Sequence, residues 1–185
     1  NEGYIVAKRL QALGFKVFIL KYRTIPMQNG YQGFHEQLVA LFQKGERSSM
    51  SDTARGWAQV DAQAAIEWLH SHAEEWRLDT KRVGVIGFSA GAITVLQALN
   101  TNKTAQTPSF AAMIYGPTEA SPLPSQKPPL FAALAADDRF FKDQSLSLID
   151  GWRKSGGSIE FHLYSSGGHG FASQPNGTTL SLIHI

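Results

Sequence analysis

The chain has 185 residues, enough for one domain with a sizeable core, and 43% of them are hydrophobic. Its 17 basic and 15 acidic residues leave a net charge of +2, which provides no basic field for binding nucleic acid. The sequence has no cysteine, which excludes disulfides, thiol nucleophiles and thiolate metal sites, and it has no apolar run long enough to span a membrane.

The first predicted elements are a helix and a strand. Apolar residues recur at helical spacing over 2–13, and Gly14 supplies a C-terminal stop. The run 15–23 is rich in residues that favour strands and ends shortly before Pro26, so it is predicted to be a strand. A helix, a tight glycine and a strand in succession indicate an α/β layered arrangement.

The segment 27–56 is harder to interpret. It contains several glycines and a polar cluster around one predicted helix at 34–43. A long excursion of this kind is typical of a functional flap or of a mobile loop, and we treat it as a candidate substrate-facing insertion. The following segment, 58–76, is predicted to be a long amphipathic helix.

The stretch 82–96 carries the strongest chemical signal. An apolar run typical of a buried parallel strand leads into Gly87-Phe88-Ser89-Ala90-Gly91, and a helical pattern continues to about Leu99. This G-x-S-x-G pattern is the nucleophile-elbow motif, and its strand-turn-helix context raises it above a chance match. Its glycines let strand and helix approach closely and tolerate strain at the serine. We therefore predict an exposed Ser89 hydroxyl, with the backbone N–H of Ala90 as an oxyanion donor.

The remaining elements continue the α/β pattern. Buried strands are predicted at 110–115 and 130–135, with a proline-rich surface loop at 118–129 between them. A helix is predicted at 145–155, followed by a more exposed edge strand at 159–164. Strand, helix and strand in this order form a parallel crossover unit. We find no internal repeat or linker, so one α/β domain is predicted over 1–179.

The last six residues, 180–185, are treated separately. They read Leu-Ser-Leu-Ile-His-Ile, the translation of the transposon-adapter string CTGTCTCTTATACACATC used in library preparation. We interpret them as a sequencing artefact and give His184 no functional weight. The alternative is an ordinary apolar terminal strand.

A serine nucleophile needs a histidine to accept its proton and a carboxylate to orient that histidine. Asp138 directly follows one predicted buried strand, and His169 lies in a glycine-rich loop after the next strand. Because the carboxyl ends of parallel strands share one edge of the sheet, both are expected near Ser89. The order Ser, Asp, His is the one expected for this motif.

Alternatives remain for the acid and the base. Asp137 is adjacent to Asp138, only one of the two can face the histidine, and either is suited to capping the next helix. Asp143 is a further candidate acid, more distant from the strand end. His162 is predicted to lie within a strand and to face solvent or a neighbour, so His169 is the better candidate base.

These motifs resemble the α/β-hydrolase superfamily, and within it the acetyl-xylan-esterase-like, dienelactone-hydrolase-like and prolyl-oligopeptidase-like esterases. The resemblance covers most of the chain, from Gly3 to Phe171. It rests on 12–15 with 20–23, the elbow 87–91, Ala135-Ala136-Asp137-Asp138, and Tyr164 with Gly167-Gly168-His169-Gly170-Phe171. It implies an α/β-hydrolase fold, a mostly parallel sheet with helices on both faces. By position, it makes Ser89 the nucleophile, His169 the general base and acid, and Asp138 the orienting carboxylate.

The sequence also departs from the pattern of these relatives. They carry a glycine-rich segment before the first helix that supplies the second oxyanion donor. We therefore expect the early strands and that donor to lie outside this sequence, which leaves Ala90 as the visible donor. Arg139-Phe140-Phe141 replaces a proline and valines, and Ala92 replaces a frequent glycine. The lack of cysteine argues against a true dienelactone hydrolase, which attacks with a thiol.

The resemblance implies a serine carboxylesterase that hydrolyses small acyl esters, with acetyl esters of polysaccharide as one candidate substrate, and that uses no cofactor and no metal. A serine peptidase of the prolyl-oligopeptidase type and a catalytically silent binding protein of the same fold are the alternatives. A secreted or periplasmic location is compatible with the resemblance.

Overall fold

Four parallel strands form the sheet that positions the candidate site. The computed structural model describes residues 2–26, 30, 32–33, 36, 52–100, 106–120 and 122–172. The strands are β1 (Val85–Phe88), β2 (Ala111–Ile114), β3 (Leu130–Ala135) and β4 (Ile159–Tyr164). The helices are α1 (Glu2–Ala12), α2 (Asp52–Ser71), α3 (Ala73–Trp76), α4 (Ala90–Leu99) and α5 (Ser147–Lys154), with a 3-10 helix at Thr80–Arg82.

The strands lie side by side in chain order, β1-β2-β3-β4, and each neighbouring pair is parallel. Phe88 lies opposite Ile114, and Ala135 lies opposite Tyr164, so the strands end close to one another. The predicted strands after the elbow are therefore confirmed, as is the edge position of β4 within the described sheet. All four carboxyl ends lie at one edge, where open α/β sheets bind ligands.

One apolar cluster joins two helices to the sheet. Ala92, Val95 and Leu99 of α4 and Leu148 and Trp152 of α5 pack with Ala111, Met113 and Leu130 of the strands. Trp152 has no exposed surface, because it fills the space between α5 and the sheet. Since side chains alternate along a strand, α4 and α5 share one face of the sheet.

A second cluster lies nearer the carboxyl edge. Its buried members include Tyr115, Ala135 and Phe171. The Tyr115 hydroxyl donates a hydrogen bond to the Glu2 carboxylate, which ties the first turn of α1 to this cluster. Helices therefore contact both clusters. The second cluster packs directly against the candidate site, since its Tyr115 ring contacts the His169 ring.

The predicted strand at 15–23 is wrong for the described structure. Residues 15–26 are extended but belong to no sheet. A strand needs hydrogen bonds to a neighbouring strand, and the residue types of a segment do not determine whether such a neighbour is present. The segment contacts the rest of the domain through side chains: the Phe18 ring lies 5.6 Å from the Trp76 ring, and Arg23 pairs with Asp61 at 2.7 Å.

The long helix also differs from its prediction. It begins at Asp52, ahead of the predicted start at 58, and continues through Gly56. A helix tolerates one glycine at a cost of about 1 kcal/mol, which tertiary packing offsets. The end of the predicted insertion is therefore helical. Most of 27–51, including most of the predicted helix at 34–43, and the tail 173–185 lie outside the described residues.

Candidate active site

Ser89 occupies a strained turn between β1 and α4. Its φ of 53° and ψ of −116° lie in a region that non-glycine residues rarely adopt. The Ser89 N–H donates to the Ile114 carbonyl at 3.0 Å, and the Ser89 carbonyl accepts from the Ala92 N–H at 2.9 Å. These bonds fix the serine backbone to both β2 and α4. The side chain is thereby held at the carboxyl edge of the sheet.

The two glycines of the elbow have different structural roles. A methyl group added at Gly87 would lie 2.2 Å from the Gly91 carbonyl oxygen and 2.7 Å from the Ala92 nitrogen. A methyl group added at Gly91 would meet no atom within 4 Å. The close approach of strand and helix therefore depends on Gly87, whereas Gly91 contributes the backbone that Gly87 contacts.

The structure brings Ser89, His169 and Asp138 into one chain of hydrogen bonds. His169 Nε2 lies 2.8 Å from Ser89 Oγ, and His169 Nδ1 lies 2.8 Å from Asp138 Oδ2. Since an ionised carboxylate only accepts, Nδ1 carries the proton and Nε2 accepts from the serine hydroxyl. This is the geometry that a serine nucleophile and its base require.

Burial distinguishes Asp138 from its surroundings. Its side chain has no exposed surface, and the His169 side chain is 16% exposed. Asp138 Oδ1 accepts a hydrogen bond from the Phe140 N–H at 2.9 Å, while Oδ2 faces the histidine. Both carboxylate oxygens thus have hydrogen-bond donors, as a buried polar group requires.

The other candidates lie elsewhere. Asp137 is exposed, and its Oδ1 accepts from the Gly168 N–H at 2.8 Å. This hydrogen bond lowers the pKa of Asp137 below its ordinary value. Asp143 is exposed in the turn before α5. His162 lies on β4, with Nε2 2.5 Å from Glu160 Oε1.

Three aromatic rings surround the His169 imidazole. The Phe140 ring lies 4.4 Å from it and the Tyr115 ring 5.0 Å from it, both edge to face, and the Phe141 ring lies at 5.9 Å. Sequence reasoning identified Phe140 and Phe141 only as departures from the pattern of relatives. Their position shortly after Asp138 in the sequence was the feature that could have indicated a place near the site.

Tyr115 was missed as a residue of the site. It is fully buried, its φ is 37°, and it directly follows β2. Burial, together with the hydrogen bond to Glu2, raises the pKa of its hydroxyl, so Tyr115 stays protonated and neutral. The sequence offered one signal, since Tyr115 immediately precedes Gly116-Pro117 at the end of a predicted strand.

Ala90 lies one residue after Ser89 and is the first residue of α4. The first N–H groups of a helix have no acceptor within the helix, and the helix dipole favours negative charge there. Ala90 therefore fits an oxyanion donor. Among the described residues, no group of three or more histidine, aspartate or glutamate side chains is arranged to hold a metal ion. None of the described helices has the length and apolarity needed to cross a membrane.

Comparison with protein families identifies the chain. The model of the dienelactone hydrolase family matches residues 4–180. The chain belongs to the dienelactone hydrolase family. This dienelactone hydrolase family member has serine at the elbow position, and its sequence has no cysteine. No match was found among curated proteins.

Solved structures share the fold of this dienelactone hydrolase family member. A sugar hydrolase from Lactococcus lactis is 21% identical, with a TM-score of 0.65 over 93% of this chain and 70% of that one. The carboxylesterase Cest-2923 from Lactobacillus plantarum is 19% identical, with a TM-score of 0.65 over 96% and 71%. A bifunctional acetyl ester-xyloside hydrolase from Caldicellulosiruptor lactoaceticus is 19% identical, with a TM-score of 0.62 over 90% and 66%.

The chain is shorter than these structural relatives. It spans 50% of an α/β hydrolase from a Medee basin deep-sea metagenome library, which is 24% identical with a TM-score of 0.52 over 60% of this chain. The parallel sheet and these likenesses establish the α/β-hydrolase fold expected from the sequence.

Proposed function

We propose that this protein is a serine carboxylesterase that hydrolyses small acyl esters through an acyl-enzyme intermediate. One observation carries the proposal: Ser89, His169 and Asp138 form an unbroken chain of hydrogen bonds, with both links at 2.8 Å. A serine in a strained elbow with a paired histidine is arranged for nucleophilic attack on a carbonyl carbon. The same chain weighs against a catalytically silent binding protein.

Acylation would begin at the serine. His169 Nε2 takes the proton of Ser89 Oγ as that oxygen bonds to the ester carbonyl carbon. The carbonyl oxygen becomes an oxyanion, which the Ala90 N–H stabilises; one such donor is worth about 10² to 10³ in rate. The imidazolium then gives its proton to the leaving alcohol oxygen as the carbon–oxygen bond breaks.

Deacylation would repeat these steps with water. His169 takes a proton from water as the hydroxyl oxygen attacks the acyl carbon, and it returns that proton to Ser89 Oγ as the acyl–serine bond breaks. In both stages the Asp138 carboxylate accepts a hydrogen bond from His169 Nδ1–H and stabilises the imidazolium. Because the imidazole returns to its starting state, no cofactor is needed.

Small acyl groups are the proposed substrate class, as implied by the resemblance to acetyl-xylan-esterase-like enzymes. The structural relatives include a carboxylesterase and a hydrolase of acetyl esters, in agreement with this class. Acetyl esters of polysaccharide are a specific candidate within it.

The test is ester hydrolysis by matched variants. Wild-type protein should hydrolyse 4-nitrophenyl acetate, and Ser89→Ala should lower kcat by at least about 10³-fold. Ser166→Ala is the control, because it removes an exposed serine hydroxyl from the loop that carries His169. A wild-type protein inactive on acetyl and butyryl esters would refute the proposal. Faster cleavage of a peptide amide than of either ester would favour the peptidase alternative.

A further inference from the structure

Two neighbouring hydrogen bonds join the loop after β3 to the loop after β4. Asp138 bonds to the His169 side chain, and Asp137 bonds to the backbone N–H of Gly168, both at 2.8 Å. The paired residues are adjacent in sequence on both sides. Asp138 is fully buried, whereas the Asp137 side chain is exposed.

The loop that carries His169 has little conformational preference of its own. Gly167, Gly168 and Gly170 have φ values of 152°, 63° and 88°, which other residues adopt at a cost. Glycine also loses more conformational entropy on ordering than any other residue. The conformation that places His169 beside Ser89 therefore depends on contacts from outside the loop.

Asp137 supplies such a contact at the residue before the histidine. Its carboxylate accepts the Gly168 N–H, and the Gly167 N–H also contributes to the lowered pKa of Asp137. The Gly168 N–H belongs to the peptide that joins Gly167 to Gly168, so this contact restrains the backbone one residue before His169. Hydrogen bonds to a charged carboxylate are stronger than neutral ones, which suits this role.

Helix capping does not account for Asp137. The next helix, α5, begins at Ser147, and its N-cap is Leu146, with no side-chain cap. Asp137 instead bonds to a loop 31 residues away in sequence. The conformation of the site explains this contact better than the local structure of its own loop does.

We propose that Asp137 is a positioning residue: its carboxylate holds the backbone of the 167–170 loop so that His169 stands between Ser89 and Asp138. This proposal rests on the proposed esterase function. Asp137 does not touch the reacting atoms, and it acts through the peptide of Gly168. From the sequence, Asp137 was an alternative to Asp138 for the catalytic acid. In the structure Asp138 faces His169, and Asp137 bonds to the Gly168 N–H.

The kinetic test compares two replacements of Asp137 in the full protein. Asp137→Ala removes the acceptor and should lower kcat about 10-fold, with KM within about twofold of wild type, because a misplaced base slows the chemical step. Asp137→Asn retains an acceptor oxygen and should restore most of kcat. Asp150→Ala, which removes an exposed aspartate of α5, should leave both constants unchanged. Wild-type kcat in Asp137→Ala would overturn the proposal.

Amide hydrogen exchange provides a readout that does not depend on activity. Exchange in the peptide containing 165–171 should be faster in Asp137→Ala than in wild type, with exchange in β1 and β2 unchanged. Unchanged exchange at 165–171 would overturn the positioning role even in an active enzyme. If the wild type shows no ester hydrolysis, the proposed function fails, and the exchange measurement still decides whether Asp137 holds the loop.

Discussion

Replacing Gly87 with alanine should force β1 and α4 apart at the elbow. The added methyl group would lie 2.2 Å from the Gly91 carbonyl oxygen, 2.4 Å from the Gly91 carbonyl carbon and 2.7 Å from the Ala92 nitrogen. All three are backbone atoms, so no side chain can rotate to relieve the contact. The first turn of α4 has to move by about 1 Å to restore ordinary van der Waals separations.

This displacement sets the magnitude of the effect. Overpacking a close contact costs about 1 to 3 kcal/mol, and a backbone contact lies at the upper end. For a domain of this size each kcal/mol lowers Tm by about 2 to 4 °C, so we expect a fall of about 6 to 12 °C. Because Ser89 is joined to the first turn of α4 by the Ala92 hydrogen bond, esterase activity should fall about 10²-fold.

The matched control is the other glycine of the motif. Gly91→Ala places a methyl group in open space within α4. Alanine is favoured over glycine in a helix by about 0.5 to 1 kcal/mol, so this variant should be as stable as wild type or slightly more stable. Thermal unfolding and 4-nitrophenyl acetate hydrolysis of both variants provide the comparison. Equal stability of Gly87→Ala and Gly91→Ala would refute the close-approach explanation of the elbow.

Three further outcomes are expected. Asp138→Asn should lower kcat by up to about 10⁴-fold, because an amide favours the wrong imidazole tautomer, and unchanged circular dichroism would separate this loss from misfolding. Trp152→Ala should lower the free energy of unfolding by about 3 to 5 kcal/mol in urea titrations, since the ring is fully buried between α5 and the sheet; a loss below 1 kcal/mol would contradict that packing. The pKa of Asp137 is lowered in the folded state, so the stabilisation from its carboxylate is present above the unfolded pKa of about 3.9 and is lost as pH falls through the folded pKa. The difference in free energy of unfolding between wild type and Asp137→Asn should therefore narrow below about pH 4. A difference that widens there would contradict a lowered pKa for Asp137.

The second half of the chain could be predicted from local signals. Continuous apolar runs predicted β2 and β3, an alternation of polar and apolar residues predicted β4, and the elbow motif predicted β1 and α4. In a parallel sheet, the shared direction of the strands brings the residues after each strand to one edge. This is why Ser89, Asp138 and His169 could be proposed together before their distances were known.

The first half depended on contacts that residue types do not encode. The segment 15–23 has strand-forming residues, yet pairing requires a neighbouring strand at a matching register. The start of α2 was predicted at 58, whereas the helix begins at Asp52 and continues through Gly56. Local propensity is a weak prior where tertiary packing decides.

Within the site, the sequence could not assign roles to adjacent residues of one type. Asp137 and Asp138 have the same side chain, and only backbone direction determines that one faces His169 and the other Gly168. Tyr115 and Phe140 contact the imidazole from different loops, so no spacing pattern joins them. Such contacts follow from the fold and not from a motif.

The most direct test of the proposed nucleophile is labelling with a fluorophosphonate followed by peptide mass spectrometry. Fluorophosphonates form a covalent bond with a serine oxygen only when a nearby base activates it. We predict one adduct, on Ser89, that is absent from Ser89→Ala and forms more slowly in Asp138→Asn. No adduct on the wild-type protein, or an adduct on another residue that survives Ser89→Ala, would contradict the assignment of Ser89 as the nucleophile.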